Sequence, residues 1–461
     1  MDISTDSPNR ILEEAWCPIA YWAKETPLAT ALIHQNQPIS YNKFNEDILA
    51  TCDTLKHQTE AGMTAFLTAT PIPYTTFVGL FASFRLRKCA LLLNPTLGQQ
   101  ALSDILEKTT QLPPVHFPCD PLHQSVSFTE TEPALCLTTS GSTGSPKAVL
   151  LSWQNCLYSA LGAIPVLNIS QNDTTLLSLP LYHVSGLGAL FRTFLTGGAL
   201  IVPAQKEPII DALARYNPNH ISIVHPQLLD LLANPDAPWK TPLKSVLVGG
   251  GPIVTQRIEE GVRAGFPLFT TYGLTETTAL VSLEQSALAH PITSGTVLEH
   301  RHIHRYEDGE MGVKGNTLFL GYLQDSGKID CPIDENGWFR TGDMGHFTHS
   351  GRLVITGRKD NQFISGGENC YPEEIETALL ALPGVQKAVV LPVPHPRYGQ
   401  VPVAWVLQTP LDSQALKQAL AKHLPPFKIP KHFFPYPEEL AFGLKPKREW
   451  FRAQLPKDPL F

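Results

Sequence analysis

The sequence predicts an α/β fold followed by a smaller α+β module. Short β-like runs alternate with helical stretches through most of the chain, the pattern of a mostly parallel sheet covered by helices. Past residue 310 turn signals become dense and the runs between them short. Near Arg358 the order changes to strand–loop–helix–strand–strand–helix, which continues for a domain-sized stretch of about 100 residues.

Taken in chain order, Ala61–Phe84 comes first: 24 residues without a charge, long enough to cross a bilayer. Pro71, Pro73 and five threonines would leave backbone groups unpaired in lipid. A buried strand over Thr64–Thr70, a Pro-x-Pro turn and a buried helix from Tyr74 account for the stretch, and no membrane span is expected. Ala134–Leu137 and Ala148–Leu151 are apolar runs framing a polar loop. Strands are predicted at Ala199–Val202, His220–Val224 and Ser245–Val248, with helices at Pro208–Arg215, Pro226–Ala233 and Gln256–Ala264. The turns Glu307-Asp308-Gly309, Glu335-Asn336-Gly337 and His349-Ser350-Gly351 predict hairpins or a small barrel. Pro372-Glu373-Glu374 opens a helix, with proline at its first position and acids in its first turn. Ile375, Leu379 and Leu380 form its apolar face, and Leu382-Pro383-Gly384 ends it. Lys387–Val393 and Val401–Leu407 are strand-like, and Asp412–Leu424 is helical.

Composition excludes several functions. Charged residues are 17% and hydrophobic residues 43%, which argues against disorder. A net charge of −7 argues against a nucleic-acid binder that works by bulk charge. The 41 prolines argue against an all-helical bundle. The eight cysteines include no C-x-x-C pair and read as buried free thiols in a reducing compartment. Met1–Asp6 is polar and acidic, unlike a signal peptide, so a cytoplasmic location is expected.

The strongest chemical signal is Thr138-Thr139-Ser140-Gly141-Ser142-Thr143-Gly144-Ser145-Pro146-Lys147. Glycines let backbone N–H groups converge on an anion, hydroxyls donate further hydrogen bonds, and the lysine neutralises charge. It is not a Walker A loop, because Pro146 and Ala148 occupy positions where that motif needs glycine and Ser/Thr. Tyr272-Gly273-Leu274-Thr275-Glu276-Thr277 places an aromatic face, a hydroxyl and a carboxylate able to hold Mg²⁺ after the strand Leu268–Thr271. Val248-Gly249-Gly250-Gly251-Pro252 ends another strand in three glycines. Gly337-Trp338-Phe339-Arg340-Thr341-Gly342-Asp343 offers a carboxylate that can accept from two sugar hydroxyls, and Arg358 follows.

This ordered series resembles the adenylate-forming enzymes: acyl-CoA synthetases, luciferases and peptide-synthetase adenylation domains. The resemblance implies a large multi-sheet domain over residues 1–359 with a small β-barrel-like part. It also implies a small mobile α+β domain over 360–461, pivoting near Asp360. Thr138, Ser140, Gly141, Ser142, Thr143, Gly144 and Lys147 would hold the phosphates, and Thr275 the α-phosphate. Glu276 would take Mg²⁺. Gly250, Gly251, Tyr272 and Gly273 would line the adenine pocket, and Asp343 and Arg358 would meet the ribose. Gly366 and Gly367 would line the passage for coenzyme A. The segment Leu320-Gly321-Tyr322 matches a family motif to which no chemistry is assigned. The adenylation lysine would be Lys445, which keeps the spacing to Arg448, with Lys447 as the alternative because the local pattern departs from the family's.

The implied activity joins a carboxylic acid to coenzyme A through an acyl-adenylate, with ATP, Mg²⁺ and CoA as cosubstrates. Another acid, transfer to a carrier protein and a non-catalytic adenylate-binding homologue remain as alternatives. His183, in Leu179-Pro180-Leu181-Tyr182-His183, would pack near the acyl pocket. From about Thr138 to Phe451 the chain resembles ligases acting on an aromatic acid with two carboxylates. Arg192 is the candidate for the second carboxylate, since a guanidinium binds one bidentately; the competing reading is an arginine on a solvated helix edge. Small molecules are the expected partners, without nucleic acid; a homodimer is compatible with the sequence but not dictated by it. His300-Arg301-His302-Ile303-His304-Arg305 alternates as a strand with three histidines on one face, read as a polar face more than as a metal site.

Overall fold

The computed structural model describes residues 17–58, 63–67, 72–95, 103, 105, 132–139, 147–204, 207–238, 242–288, 291–408, 410–437, 440 and 448–456. Ser140, Gly141, Ser142, Thr143, Gly144, Lys445 and Lys447 lie outside these residues, as does Cys119.

Two large sheets sandwich a layer of helices. The nine-stranded sheet has six parallel strands at its centre: Leu268–Tyr272, Ser245–Val248, His220–Ile223, Thr174–Leu176, Ala199–Val202 and Thr30–His34. Antiparallel strands flank them. The six-stranded sheet runs from Ile329–Asp330 through Gly321–Leu323, Lys147–Ser152, Pro133–Thr139 and Cys89–Leu93 to Met63–Leu67. Between the sheets lie the helices Tyr41–Gln58, Tyr74–Arg85, Trp153–Leu167 and Val184–Thr196. Their core joins Leu92, Leu135 and Val149 of one sheet to Leu32, Leu200 and Phe269 of the other. Aromatic rings fill this layer; Phe84 and Trp153 meet edge-on at 4.9 Å. The outer face of the nine-stranded sheet is covered by the helices Ile209–Tyr216, His225–Leu232 and Thr255–Arg263.

The uncharged stretch resolves as a strand at Met63–Leu67 and a twelve-residue helix at Tyr74–Arg85. Among the described residues no helix is long and apolar enough to cross a membrane. The helix before Tyr216 starts at Ile209, with Pro208 just outside it, and the one predicted over Asp412–Leu424 spans only Ser413–Leu420. Asp412 caps that helix by accepting from Gln414 and Ala415 N–H, and turns follow it.

The turn-rich region forms a four-stranded antiparallel sheet of Arg301–Arg305, Glu310–Gly315, Phe339–Phe347 and Leu353–Arg358. His300 is not part of this sheet: it sits in the preceding turn at φ +69° against Tyr158. His302 and His304 are exposed, and among the described residues no group of three metal-ligating side chains forms. Residues beyond Phe363 pair in their own sheet, in which Lys387–His395 and Gly399–Leu407 form the long central hairpin and the helix Pro372–Leu380 packs on one face. Six of the seven described cysteines are buried, whereas Cys331 is exposed, a correction to the uniform reading of buried thiols. Burial pushes the Cys136 thiol up to about 12 and Cys370 up to about 11, so neither is a nucleophile near neutrality.

At the opposite end of the sheet from the site, Asp173 ties three strands together. It accepts from Ser170, from His220 Nε2 at 3.1 Å and from Lys244 Nζ at 2.6 Å. Burial opposes the charge, but these hydrogen bonds hold the carboxyl well below its usual range. Asp173→Ala is expected to cost about 3 kcal/mol, because it leaves buried donors unpaired. The unfolding midpoint reads this loss. Because the folded carboxyl is depressed, its contribution is present above the unfolded value of about 3.9 and disappears as pH falls through the folded one.

Candidate functional site

The site forms at the carboxyl ends of the parallel strands, where an open α/β sheet leaves a crevice. His220–Ile223 leads into Val224, Ser245–Val248 into three glycines, and Leu268–Tyr272 into Gly273. A Cβ at Gly273 would lie 1.3 Å from the Ala279 carbonyl oxygen, so only glycine permits the tight reversal there. That reversal presents Thr275 and Glu276 on a single 3₁₀ turn. Gly250 adopts φ +79°, and nothing lies within 4 Å of where a Gly251 Cβ would stand, so the glycine segment leaves open space beside the crevice.

The structure brings Tyr272, Asp343 and Arg358 together. The Tyr272 hydroxyl donates to Asp343 Oδ2 at 2.7 Å, and Arg358 Nη1 donates to Asp343 Oδ1 at 3.1 Å. Strand pairing sets this, since Asp343 and Arg358 are register partners on adjacent antiparallel strands. Burial and the neighbouring carboxylate keep Tyr272 a neutral phenol. Burial would lower Arg358, but Asp343 and Asp360 outweigh it and raise it.

A second cluster contains a residue to which the sequence reading assigned no chemistry. Tyr322 donates its hydroxyl to Glu276 Oε1 at 2.9 Å, while Lys147 Nζ stands 4.8 Å from the centre of the same ring. Tyr322 pairs with Val149 across the six-stranded sheet, and this brings the Leu320-Gly321-Tyr322 motif beside Lys147. Thr139 and Lys147 are register partners, so the two strands that frame the loop are neighbours in one antiparallel pair.

His183 precedes the helix Val184–Thr196, and Gly186 allows the loop to fold onto the helix start, where a Cβ would meet Pro180 O at 2.3 Å. Arg192 sits on this helix and is 4% exposed, so the solvated-edge reading is overturned. It donates to Ser222 Oγ at 3.3 Å, and among the described residues it forms no ion pair with a carboxylate. Burial lowers it to about 10, so it remains a cation at neutral pH. Gly366 and Gly367 form the turn of the hairpin Phe363–Ser365/Glu368–Cys370 at φ +63° and +90°. The Gly366 N–H donates to Tyr398 O within the same module.

The crevice at the strand ends thus holds the groups of an adenylate-forming enzyme, a class that comparison with known proteins bears out. The family described as AMP-binding enzyme matches residues 109–323, and the AMP-binding enzyme C-terminal domain matches residues 374–440. Over 397 residues the chain is 32% identical to the 2-succinylbenzoate--CoA ligase of Escherichia coli K12, covering 81% of this chain and 85% of that protein. It superposes on the o-succinylbenzoate CoA synthetase of Bacillus subtilis in complex with the acyl-adenylate intermediate OSB-AMP. The TM-score is 0.81 and the identity 26%, over 91% of this chain and 94% of that one. The same enzyme in complex with ATP and magnesium ion gives a TM-score of 0.79 at 27% identity, over 91% and 95%. The chain belongs to the AMP-binding enzyme family.

Proposed function

We propose that the protein is a 2-succinylbenzoate–CoA ligase of menaquinone biosynthesis. The acid carboxylate attacks the α-phosphate of ATP, giving the acyl-adenylate and diphosphate. The thiol of CoA then attacks the acyl carbon, AMP leaves, and the thiol proton goes to solvent. Arg192 carries the choice of acid. It is a buried guanidinium without a protein carboxylate among the described residues, and the second carboxylate of the acid would supply that partner.

The chain's own groups do the positioning and the electrostatics. Asp343 and Arg358 engage the ribose, Tyr272 the adenine, and Thr275, Lys147 and the loop 138–147 the phosphates. His183 packs beside the acyl group. Lys445 bridges the acid carboxylate and the α-phosphate as charge develops. Glu276 would hold Mg²⁺, a hard cation that takes oxygen ligands and would neutralise phosphate charge. Tyr322 holds Glu276 through one of its oxygens and leaves the other free of that bond. Asp360 is the pivot on which residues 360–461 swing so that Gly366 and Gly367 approach for thioester formation. The protein acts in the cytoplasm.

Acid-dependent diphosphate exchange over a panel of acids tests the reading. 2-Succinylbenzoate should support exchange and benzoate should not; the reverse result would move the activity to another aryl acid. Mass spectrometry should find the acyl-CoA, which excludes an obligate carrier protein. Tyr322→Phe should raise the KM for MgATP about tenfold, the effect of about 1.4 kcal/mol from a lost hydrogen bond to a charged group. An unchanged KM would separate Tyr322 from the metal carboxylate.

A further inference from the structure

One buried carboxylate behind the ribose site has no place in the chemistry above. Glu310 opens an inner strand of the four-stranded sheet, Glu310–Gly315, and is 5% exposed. Its Oε1 accepts the Gly342 N–H at 3.0 Å. Its Oε2 accepts from Arg340 Nε at 3.0 Å and from Lys359 Nζ at 3.0 Å. Asp308 backs the same two cations, at 2.6 Å to Arg340 Nη2 and 2.8 Å to Lys359 Nζ. Burial would raise the Glu310 carboxyl, but Lys359, Arg340 and the Gly342 N–H hold it below its usual range, so it is an anion under working conditions.

The three donors are not scattered. Gly342 immediately precedes Asp343, Lys359 immediately follows Arg358, and Arg340 lies on the same strand as Asp343. Glu310 therefore grips the chain next to both members of the pair assigned to the ribose. The turn it holds has little freedom of its own. Gly342 is at φ +72°, and a Cβ there would come within 2.8 Å of Arg358 Nη2. Arg358 Nη1 donates to Thr341 O at 2.8 Å as well as to Asp343, and Thr341 Oγ1 donates to Met311 O at 2.7 Å. Glu310 thus holds the backbone at Gly342 and the side chains of Arg340 and Lys359, the residues that flank Asp343 and Arg358. A shift of either strand end breaks a charge-assisted hydrogen bond to a buried anion.

We infer that Glu310 is a positioning residue for nucleotide selection, holding Asp343 and Arg358 at the separation that recognises the ribose hydroxyls. This rests on the ribose role of Asp343 proposed above. The neutral isostere introduced by Glu310→Gln would keep an acceptor for Gly342 but lose the charge that draws in Arg340 and Lys359.

The experiment compares ATP with 2′,3′-dideoxy-ATP in diphosphate exchange, using the full-length wild-type and Glu310→Gln enzymes. The wild type should prefer ATP. In Glu310→Gln the KM for ATP should rise about tenfold while that for the dideoxy nucleotide and the acid stay put, so the preference collapses. A merely structural role would lower kcat with both nucleotides and leave the preference intact, and that result overturns the inference. Absence of any preference in the wild type would remove the ribose reading of Asp343 and this inference with it. If Glu310→Gln does not fold, Lys359→Gln, whose side chain is 45% exposed, carries the same test, with an expected loss of preference of about threefold.

Discussion

Lys445→Ala is expected to lower acid-dependent diphosphate exchange about 100- to 1,000-fold and to spare thioester formation from supplied acyl-adenylate. The split follows from where charge develops. In the first step a carboxylate oxygen approaches an already anionic phosphate, and an ammonium between them lowers the barrier in proportion to the charge it meets. In the second step the leaving group is AMP and that contact is no longer required. Arg448 anchors the helix that follows position 445 in the chain. Its Nη1 donates to Val390 O at 2.7 Å, and its Nη2 pairs with buried Glu376 at 2.8 Å and with Glu373 at 3.3 Å. The helix Arg448–Ala453 is thereby fixed to the helix Pro372–Leu380, and position 445 lies three residues from the fixed point. Full exchange by Lys445→Ala, with loss in Lys447→Ala, would move the role two residues on.

Arg192→Ala is expected to raise the KM for 2-succinylbenzoate about 100-fold, or about 2.7 kcal/mol, the scale for truncating one partner of a buried charge pair. The KM for ATP should stay unchanged. Equal losses for the dicarboxylate and for a monocarboxylate analogue would make Arg192 a packing residue instead.

Local chemistry was the legible part of the sequence. Alternation of apolar runs with amphipathic stretches predicts the parallel sheet, because burial on both faces demands it. The strands at Ala199–Val202 and Ser245–Val248 match that pattern end to end. Pro372 and its acids mark a helix start through the backbone N–H groups that any helix must satisfy. Less legible were the ends governed by competing caps, such as Leu420, and the turn that removes His300 from its strand. Cys331 fell outside the pattern because its exposure is decided by the loop that carries it.

By itself the sequence determined which functional groups the site would contain and in what order they occur, since glycine loops, hydroxyls and isolated charges keep their chemistry in any fold. Tertiary structure alone decided which of them meet. The register between Phe339–Phe347 and Leu353–Arg358 sets Asp343 against Arg358. The pairing of Gly321–Leu323 with Lys147–Ser152 carries Tyr322 to Lys147, and the hydroxyl of Tyr322 reaches Glu276. The layer between the two sheets buries Arg192, and the four-stranded sheet gathers Arg340, Gly342 and Lys359 around Glu310. The physical reason is that groups far apart in sequence meet only where strand pairing and layer packing bring them together, and the buried anion Glu310 is tolerated because donors from two strand ends converge on it.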